Sequence, residues 1–95
     1  MNEMAVIELL EKLHLILKRH GEYHWSNEIR SILNSRMSNK RERALGWFGR
    51  MGSFSDLYIS SLNGHEIEPS EEDQVNSEIE KLREQLYRQL RQRGG

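Results

Sequence analysis

The chain has 95 residues, of which 36% are hydrophobic and 31% charged, with a net charge of −1 and no cysteine. This length predicts a single domain over residues 1–95 with a thin core, so assembly with another chain would add stability. The lack of cysteine excludes disulfides, thiolate catalysis and cysteine zinc sites. The first residues, MNEM, carry an acid where a signal peptide needs positive charge, and no run approaches the roughly 20 apolar residues that span a bilayer. We therefore expect a cytoplasmic protein.

The net charge hides a strong segregation along the chain. Residues 1–17 carry −2, residues 18–50 carry +5, residues 51–80 carry −8 with no basic residue, and residues 81–95 carry +4. Two interpretations stay open. Either acidic and basic segments pair within the fold, or one of them faces a charged partner whose complementary field speeds encounter. A basic segment beside a more acidic one is poor evidence for nucleic-acid binding.

A first amphipathic helix is predicted over residues 3–19. Asn2 can cap its N-terminus, and Gly21 can end it in a left-handed turn. Its acids come early and its bases late, as the helix macrodipole favours. The apolar residues recur at spacings of three and four and form the core-facing stripe: Met4, Ile7, Leu9, Leu10, Leu13 and Leu17.

A last, longer helix is predicted over residues 71–92, after Pro69 and the N-cap candidate Ser70. Its first turn is acidic and its last turn basic. Its apolar seam consists of Val75, Ile79, Leu82, Leu86 and Leu90. Such a helix exceeds what shorter helices can cover, so the seam also predicts self-association into a homodimer.

Two shorter helices are predicted between these. One spans about residues 24–36, with Ser26 as a later cap and the stripe Trp25, Ile29, Ile32 and Leu33. The other spans about residues 40–48, capped by Ser38 or Asn39, with the contact face Ala44, Leu45, Trp47 and Phe48.

Past residue 48 the helical period fails, and two interpretations compete for the following segment. Ser53–Asp56 either form a capping box that opens a helical turn, or they lead into an extended segment, Leu57–Leu62. Asn63-Gly64 favours the second, because this pair supplies the positive φ angles of a type I′ turn. With His65–Glu68 as the return strand, we expect a short β-hairpin that packs on the helices.

Three candidate chemical sites are weak. His20 and His24 have the spacing of paired zinc ligands, but Gly21 lies between them and no HExxH motif surrounds them. Ser53 or Ser55 with Asp56 and His65 would make a Ser/His/Asp set, but the nucleophile elbow GxSxG is absent. The glycines of GRMGS resemble a phosphate loop without its GK[ST] ending. We therefore expect no catalytic residue, no metal and no cofactor.

An aromatic and methionine group, Trp47, Phe48, Met51, Phe54 and Tyr58, has two interpretations. It packs in the core, which we favour for Trp47 and Phe48, or it forms a binding patch. Similarly, the bases Lys40, Arg41, Arg43 and Arg50 form a solvated face or recognise an acidic surface.

The stretch WFGRMGSFSDL, from Trp47 to Leu57, resembles a group of small bacterial proteins of uncharacterised domain type. They share a core close to G-[GR]-M-G-S-[FL]-[NS]-D-L, then an extended segment and an Asn-Gly-His turn, here Asn63-Gly64-His65. This chain has Arg50 where the group tends to have a second glycine. The resemblance implies a stand-alone protein. It also implies, as for some members of the group, an immunity protein that neutralises a bacterial toxin.

Physical reasoning gives the shared core a structural role. Gly49 and Gly52 permit a tight reversal, Ser53 and Asp56 satisfy backbone donors, and Phe54 with Leu57 anchors the loop. The motif residues with this structural role are Trp47, Gly49, Met51, Gly52, Ser53, Phe54, Asp56 and Leu57.

The sequence thus predicts a mainly α domain with three N-terminal helices, a glycine-rich turn with a short β-hairpin, and a long C-terminal helix. The predicted function is a non-enzymatic immunity or antitoxin protein that occludes a toxin with a basic surface. Its partner-binding residues would be Asp56, Glu66, Glu68, Glu71, Glu72 and Asp73. The alternative is an adaptor that self-associates through the Val75–Leu90 seam, and a small enzyme comes third. We expect neither a nucleic acid nor a membrane as partner.

Overall fold

Four α-helices and three short 3-10 turns form the part of the chain that the computed structural model describes, residues 2–48 and 54–92. The helices are α1 (Glu3–Arg19), α2 (Tyr23–Leu33), α3 (Met37–Leu45) and α4 (Glu72–Arg91). The 3-10 turns span Phe54–Asp56, Ser61–Asn63 and Pro69–Glu71. The predicted mainly helical fold and the long C-terminal helix are confirmed.

Helix α1 has the predicted bounds and both predicted ends. The side-chain oxygen of Asn2 accepts a hydrogen bond from the Ala5 N–H at 3.1 Å, and Gly21 has φ +75°. The apolar stripe begins differently from the prediction, because Met4 is 70% exposed and Val6 is fully buried. Val6 lies three and four residues before Leu9 and Leu10, so it shares their helical face.

Helices α2 and α3 both lie a few residues earlier than predicted. Helix α2 ends at Leu33, since the Ser35 hydroxyl donates to the Ile32 carbonyl at 2.6 Å. The Lys40 ammonium, which is buried, donates in turn to the Ser35 carbonyl. These two side chains thus satisfy backbone carbonyls at and just after the end of α2. Helix α3 begins at Met37, two residues after Ser35.

The core lies where α1 packs against α2 and α4, while α3 contacts α2 and α4. Helix α4 has 20 residues and is therefore roughly 30 Å long. Its seam belongs to this core: Ile79, Leu86 and Leu90 are fully buried, Leu82 is buried, and Val75 packs against the cluster. The chain's own helices thus cover the residues from which self-association was predicted.

The predicted β-hairpin over residues 57–68 is wrong, because the described residues contain no strand. A type I′ turn needs positive φ at both central positions. Gly64 has φ +85°, but Asn63 does not have a positive φ. Instead, Ser61–Asn63 form a 3-10 turn, and Gly64 closes it in the left-handed conformation.

The two halves of the expected hairpin bond to different parts of the protein. Both backbone groups of Ile59 pair with the side-chain amide of Asn76 on α4. The Glu66 N–H donates to the His20 carbonyl, at the end of α1, at 2.8 Å. Since these groups are satisfied by helices, they are not available to form a two-stranded ladder.

The N-terminus of α4 also differs from the prediction. Ser70 does not cap it. A 3-10 turn over Pro69–Glu71 leads directly into the helix, and Glu71 occupies the N-cap position without a side-chain hydrogen bond. Glu72 and Asp73 lie in the first turn, where the macrodipole favours negative charge.

Candidate functional site

The aromatic side chains of the WFGRMGSFSDL stretch meet around Phe54. The Phe54 ring is fully buried and lies 5.0 Å from Trp25, 5.4 Å from Trp47 and 6.2 Å from Phe48, measured between ring centroids. The Phe54 N–H donates to the Trp47 carbonyl at 3.1 Å. Trp47 and Phe54 are therefore core residues. Gly49, Met51, Gly52 and Ser53 lie outside the described residues.

Arg83 of α4 holds this stretch by its backbone. Its Nη1 donates to the Phe54 carbonyl at 2.7 Å and to the Leu57 carbonyl at 3.0 Å. The guanidinium carbon lies 5.9 Å from the centroid of the Phe54 ring, within cation–π range. Burial lowers the pKa of Arg83, and the carboxylates of Glu80 and Asp56 oppose that shift. Guanidinium stays protonated in proteins, so the anchor is a permanent cation.

Asn76 and Glu72, two and three turns before Arg83, hold the next part of the chain. The Asn76 side chain accepts from the Ile59 N–H at 2.7 Å and donates to the Ile59 carbonyl at 2.8 Å. A Glu72 oxygen accepts from the Ser61 N–H at 3.0 Å. Side chains on one helix thus satisfy several backbone groups between Phe54 and Ser61, a segment without a ladder of its own.

His65 joins this segment to the start of α2. Its Nδ1 accepts from the Ser60 N–H at 3.0 Å, which leaves the ring proton on Nε2 in the neutral imidazole. That Nε2 lies 3.1 Å from a Glu22 oxygen and donates to it. The second Glu22 oxygen accepts from the Trp25 N–H at 3.0 Å, so Glu22, and not the predicted Ser26, caps α2. His65 is therefore a bridge with a buried side chain and both ring nitrogens engaged, and not part of the return strand expected from the sequence.

The other two histidines of interest, His20 and His24, have different partners. The His20 ring donates from Nδ1 to the Glu66 carbonyl at 2.8 Å, which completes a two-bond pairing between these residues. His24 is exposed, and its ring meets Trp25 edge-on at 5.2 Å. Within the described ranges, no group of three or more histidines and acids is placed to hold a metal ion.

A groove of about 300 Å³ opens between the start of α2 and the 56–65 segment. Its lining combines two carboxylates, one imidazole, one amide, two aromatic rings and one aliphatic side chain: Glu22, Trp25, Asp56, Leu57, Tyr58, Asn63 and His65. This is the candidate functional site, which we call the α2 groove. The arrangement is suited to binding, because His65 has already committed its lone pair to the Ser60 N–H.

The structure places most of the predicted partner-binding acids on the surface, but it does not gather all six in one site. Asp56 alone lines the α2 groove, under the electrostatic influence of Arg83. Glu66 lies beside Gly21, with its Cγ 3.5 Å from where a Cβ would be. The other four acids lie in a run at the start of α4, and of these Glu72 is partly buried by its bond to the Ser61 N–H: Glu68, Glu71, Glu72 and Asp73.

Sequence reasoning missed the residues that organise the site. Arg83 and Asn76 both lie off the apolar seam of α4, where a polar residue ordinarily faces water. Glu22 precedes α2, and its one local signal was the acid three residues before Trp25, the spacing of a side-chain N-cap. No signal in the sequence pointed to the long-range partners of Arg83 and Asn76.

The comparisons with known proteins give a family and no function. Searches of curated proteins and of solved structures found no match. Across residues 2–48 and 54–92, no helix has the length and apolar character needed to cross a membrane. A family model described as "Domain of unknown function (DUF6966)" matches residues 18–68, a stretch that includes every residue lining the α2 groove. Because the match spans more than half of the 95 residues, this chain belongs to the DUF6966 family.

Proposed function

We propose that this chain is a non-enzymatic binding protein of the immunity or antitoxin kind, which neutralises a bacterial toxin in the cytoplasm by covering it. The contact surface consists of the acidic stretch from Asp56 to Asp73, together with the α2 groove. The partner presents a basic surface, as many toxins that act on nucleic acid do. Occlusion requires only shape and charge, which this surface supplies.

The exposure of the acidic stretch is the observation that carries this proposal. Residues 56–73 contain six acids and neither lysine nor arginine, and five of the six acids are exposed. Arg43 pairs with Glu28, His65 with Glu22 and Arg88 with Glu84, while the Arg83 guanidinium interacts with Asp56 and Glu80. The field of these exposed acids attracts a basic partner and raises the rate of encounter.

The way the segment is held supports the same function. Because α4 side chains fix its backbone, little conformational entropy is lost when a partner binds. The segment also presents apolar groups, with Leu62 95% exposed on the Ser61–Asn63 turn and Tyr58 47% exposed. A protruding aliphatic or aromatic side chain can fill a partner's pocket, where most binding energy at interfaces is concentrated.

The test is co-expression with the toxin-like product of the adjacent reading frame, scored as colony formation. The variant carries Glu68→Lys, Glu71→Lys and Asp73→Lys. Glu72 stays unchanged, because its carboxylate accepts the Ser61 N–H and its loss would disturb the fold. The matched control has the same change of charge at three other exposed acids, Glu8→Lys, Glu11→Lys and Glu42→Lys.

We expect the first variant to lose protection and the control to keep it. Both should retain the wild-type helical signal in circular dichroism. Full protection by the first variant would exclude the acidic surface as the binding site. An adjacent frame whose product is harmless on its own would remove the basis for a toxin partner.

A further inference from the structure

We propose that the α2 groove binds an arginine side chain of the partner protein. This inference rests on the proposed function and deepens it, since it names the chemical group that the groove recognises. The rest of the acidic stretch supplies the long-range field, while the groove receives one guanidinium group and so determines the register of the two proteins.

The charge of the groove favours a cation. Glu22 and Asp56 contribute two carboxylates from different elements, and no lysine or arginine is among the described residues that line the groove. Arg83, which donates to the Phe54 and Leu57 carbonyls, compensates Asp56 in part. The lining also contains His65, whose Nε2–H is already directed at Glu22.

The acceptors of the groove are held in place before a ligand arrives. Each Glu22 oxygen accepts one hydrogen bond from the chain, from His65 or from the Trp25 N–H, and each has a second lone pair. Asn63 donates from Nδ2 to the Tyr58 carbonyl at 3.3 Å, and this bond orients its amide. Preorganised acceptors lose little entropy when they bind a planar donor.

The aromatic rings distinguish guanidinium from ammonium. Trp25 is packed at 5.0 Å from Phe54 and 5.8 Å from Trp47, so its ring is fixed where it lines the groove. Tyr58, on the same lining, is half exposed. Arginine stacks on aromatic faces while its planar fork bonds to carboxylates, whereas lysine is a strongly hydrated point charge.

The size of the groove suits one side chain. Its volume of about 300 Å³ is at the lower limit of small-molecule pockets, which run from about 300 to 1,000 Å³. It is also an open surface feature, so a side chain that projects from another protein can enter it without any rearrangement of this chain.

The experiment is an NMR titration of the isotope-labelled protein with Nα-acetyl-arginine amide, the probe for one arginine side chain. The Trp25 indole, the Asn63 side-chain amide and the Ser60 and His65 backbone amides report on the groove. We expect saturable shifts at these groups with Kd on the order of 1–10 mM, a range accessible to a single side chain. Nα-acetyl-lysine amide should bind at least about threefold more weakly, and the neutral isostere Nα-acetyl-citrulline amide should give no saturable shift.

Two groove variants and one control complete the test. Asp56→Asn removes one carboxylate and Tyr58→Ala removes one ring, and each should weaken arginine binding on the order of fivefold. Asp73→Asn makes the same change of charge outside the groove and should leave the Kd unchanged. Tyr58→Ala alters an exposed side chain, so it keeps the test valid even where Asp56→Asn perturbs the fold.

Equal binding of arginine and lysine, or shifts that are as large at residues 71–73 as in the groove, would overturn the assignment. An unchanged Kd in both groove variants would do the same. The titration needs no toxin, so its outcome is separate from that of the protection assay. If reversal of the acids abolished protection but the titration showed no arginine binding, the proposed function would stand. Only the assignment of the groove as an arginine site would be rejected.

Discussion

The α1–α4 interface and the 54–71 segment are stabilised by different kinds of interaction. Helices α1 and α4 contribute apolar side chains at helical spacing to one core, among them Leu10, Leu13, Ile79 and Leu86, all fully buried. Such burial stabilises by about 25 cal/mol per Å² without regard to direction. Each helix satisfies its own backbone, so the interface has only to bring two apolar stripes together.

In the 54–71 segment the backbone depends on other elements. Its N–H and C=O groups are bonded to Arg83, Asn76 and Glu72 of α4, to His65, and to His20 after α1. These contacts are directional, and each satisfies a particular group. The comparison teaches that a segment with only short 3-10 turns, and with neither α-helix nor sheet, can still have a defined conformation when a helix beside it supplies hydrogen-bond partners.

The largest effect on the free energy of unfolding is expected at the apolar α1–α4 interface. Leu86→Ala removes a fully buried side chain from α4 and leaves a cavity. We expect the free energy of unfolding to fall by about 2–5 kcal/mol, measured by urea denaturation followed by circular dichroism. Tyr87→Ala, at the partly exposed next position, should cost clearly less. An equal loss in both variants would contradict the assignment of the seam to the core.

Arg83→Met is the strongest test of the hydrogen bonds that hold the 54–71 segment. It keeps much of the side-chain volume but removes two hydrogen bonds to carbonyls, so we expect a loss of about 1.5–3 kcal/mol in the free energy of unfolding. Hydrogen exchange at Leu57 and its neighbours should accelerate more than in the core.

The matched control for that variant is Arg88→Met on the same helix. Arg88 pairs at 2.6 Å with Glu84 on the surface, and exposed pairs of this kind contribute only about 0.3–0.5 kcal/mol. Similar losses for the two arginines would mean that the bonds of Arg83 do not stabilise the segment.

A smaller and more local effect is expected at Asn76. Asn76→Ala leaves both backbone groups of Ile59 without their partner, and we expect a loss of about 1–2 kcal/mol. The specific readout is the Ile59 amide, whose hydrogen exchange should accelerate while that of Leu86 changes only with global stability. Ser77→Ala, on the exposed side of the same turn, is the control. Unchanged protection of Ile59 in Asn76→Ala would rule out the pairing.

The smallest effect is expected at the Ser61–Asn63 turn. Gly64 has φ +85°, and nothing lies within 4 Å of where a Cβ would be, so any cost of substitution comes from the backbone conformation alone. We expect Gly64→Ala to cost about 1 kcal/mol and Gly64→Asn less, because asparagine tolerates the left-handed region better. Thermal unfolding of the two variants measures this difference. Equal stabilities would argue against the left-handed conformation.

Much of the helical framework could be predicted because its signals are local. The bounds of α1 follow from Asn2, from the apolar spacing and from Gly21, all of which act within a few residues. The shift of α2 and α3 arose where side chains competed for backbone groups: Ser35 and Lys40 satisfy the end of α2, and no periodicity encodes that competition. The motif residues Trp47 and Phe54 were expected to be structural, and they lie in the core.

The candidate site was only partly predictable. Asp56 and Tyr58 were noticed in the sequence for their charge and ring, and both line the α2 groove. Glu22 and Asn63 were assigned other roles or none, because the groove joins residues that lie more than 30 positions apart in the chain. The error over the hairpin has the same origin. Asn63-Gly64 permits a type I′ turn locally, but the backbone on either side of it is bonded to Asn76, Arg83 and His20 instead of forming a ladder.

The sequence by itself determined the helical character, the ends of α1, the long C-terminal helix and the segregation of charge. Hydrophobic periodicity and capping act over a few residues, and the charge of a segment is the sum of the charges of its residues. Only the tertiary structure decided that residues 57–68 are not a hairpin, that the α4 seam is internal, and that the α2 groove exists. Those outcomes depend on which distant group reaches a given N–H or C=O, and chain folding alone brings such groups within hydrogen-bond distance.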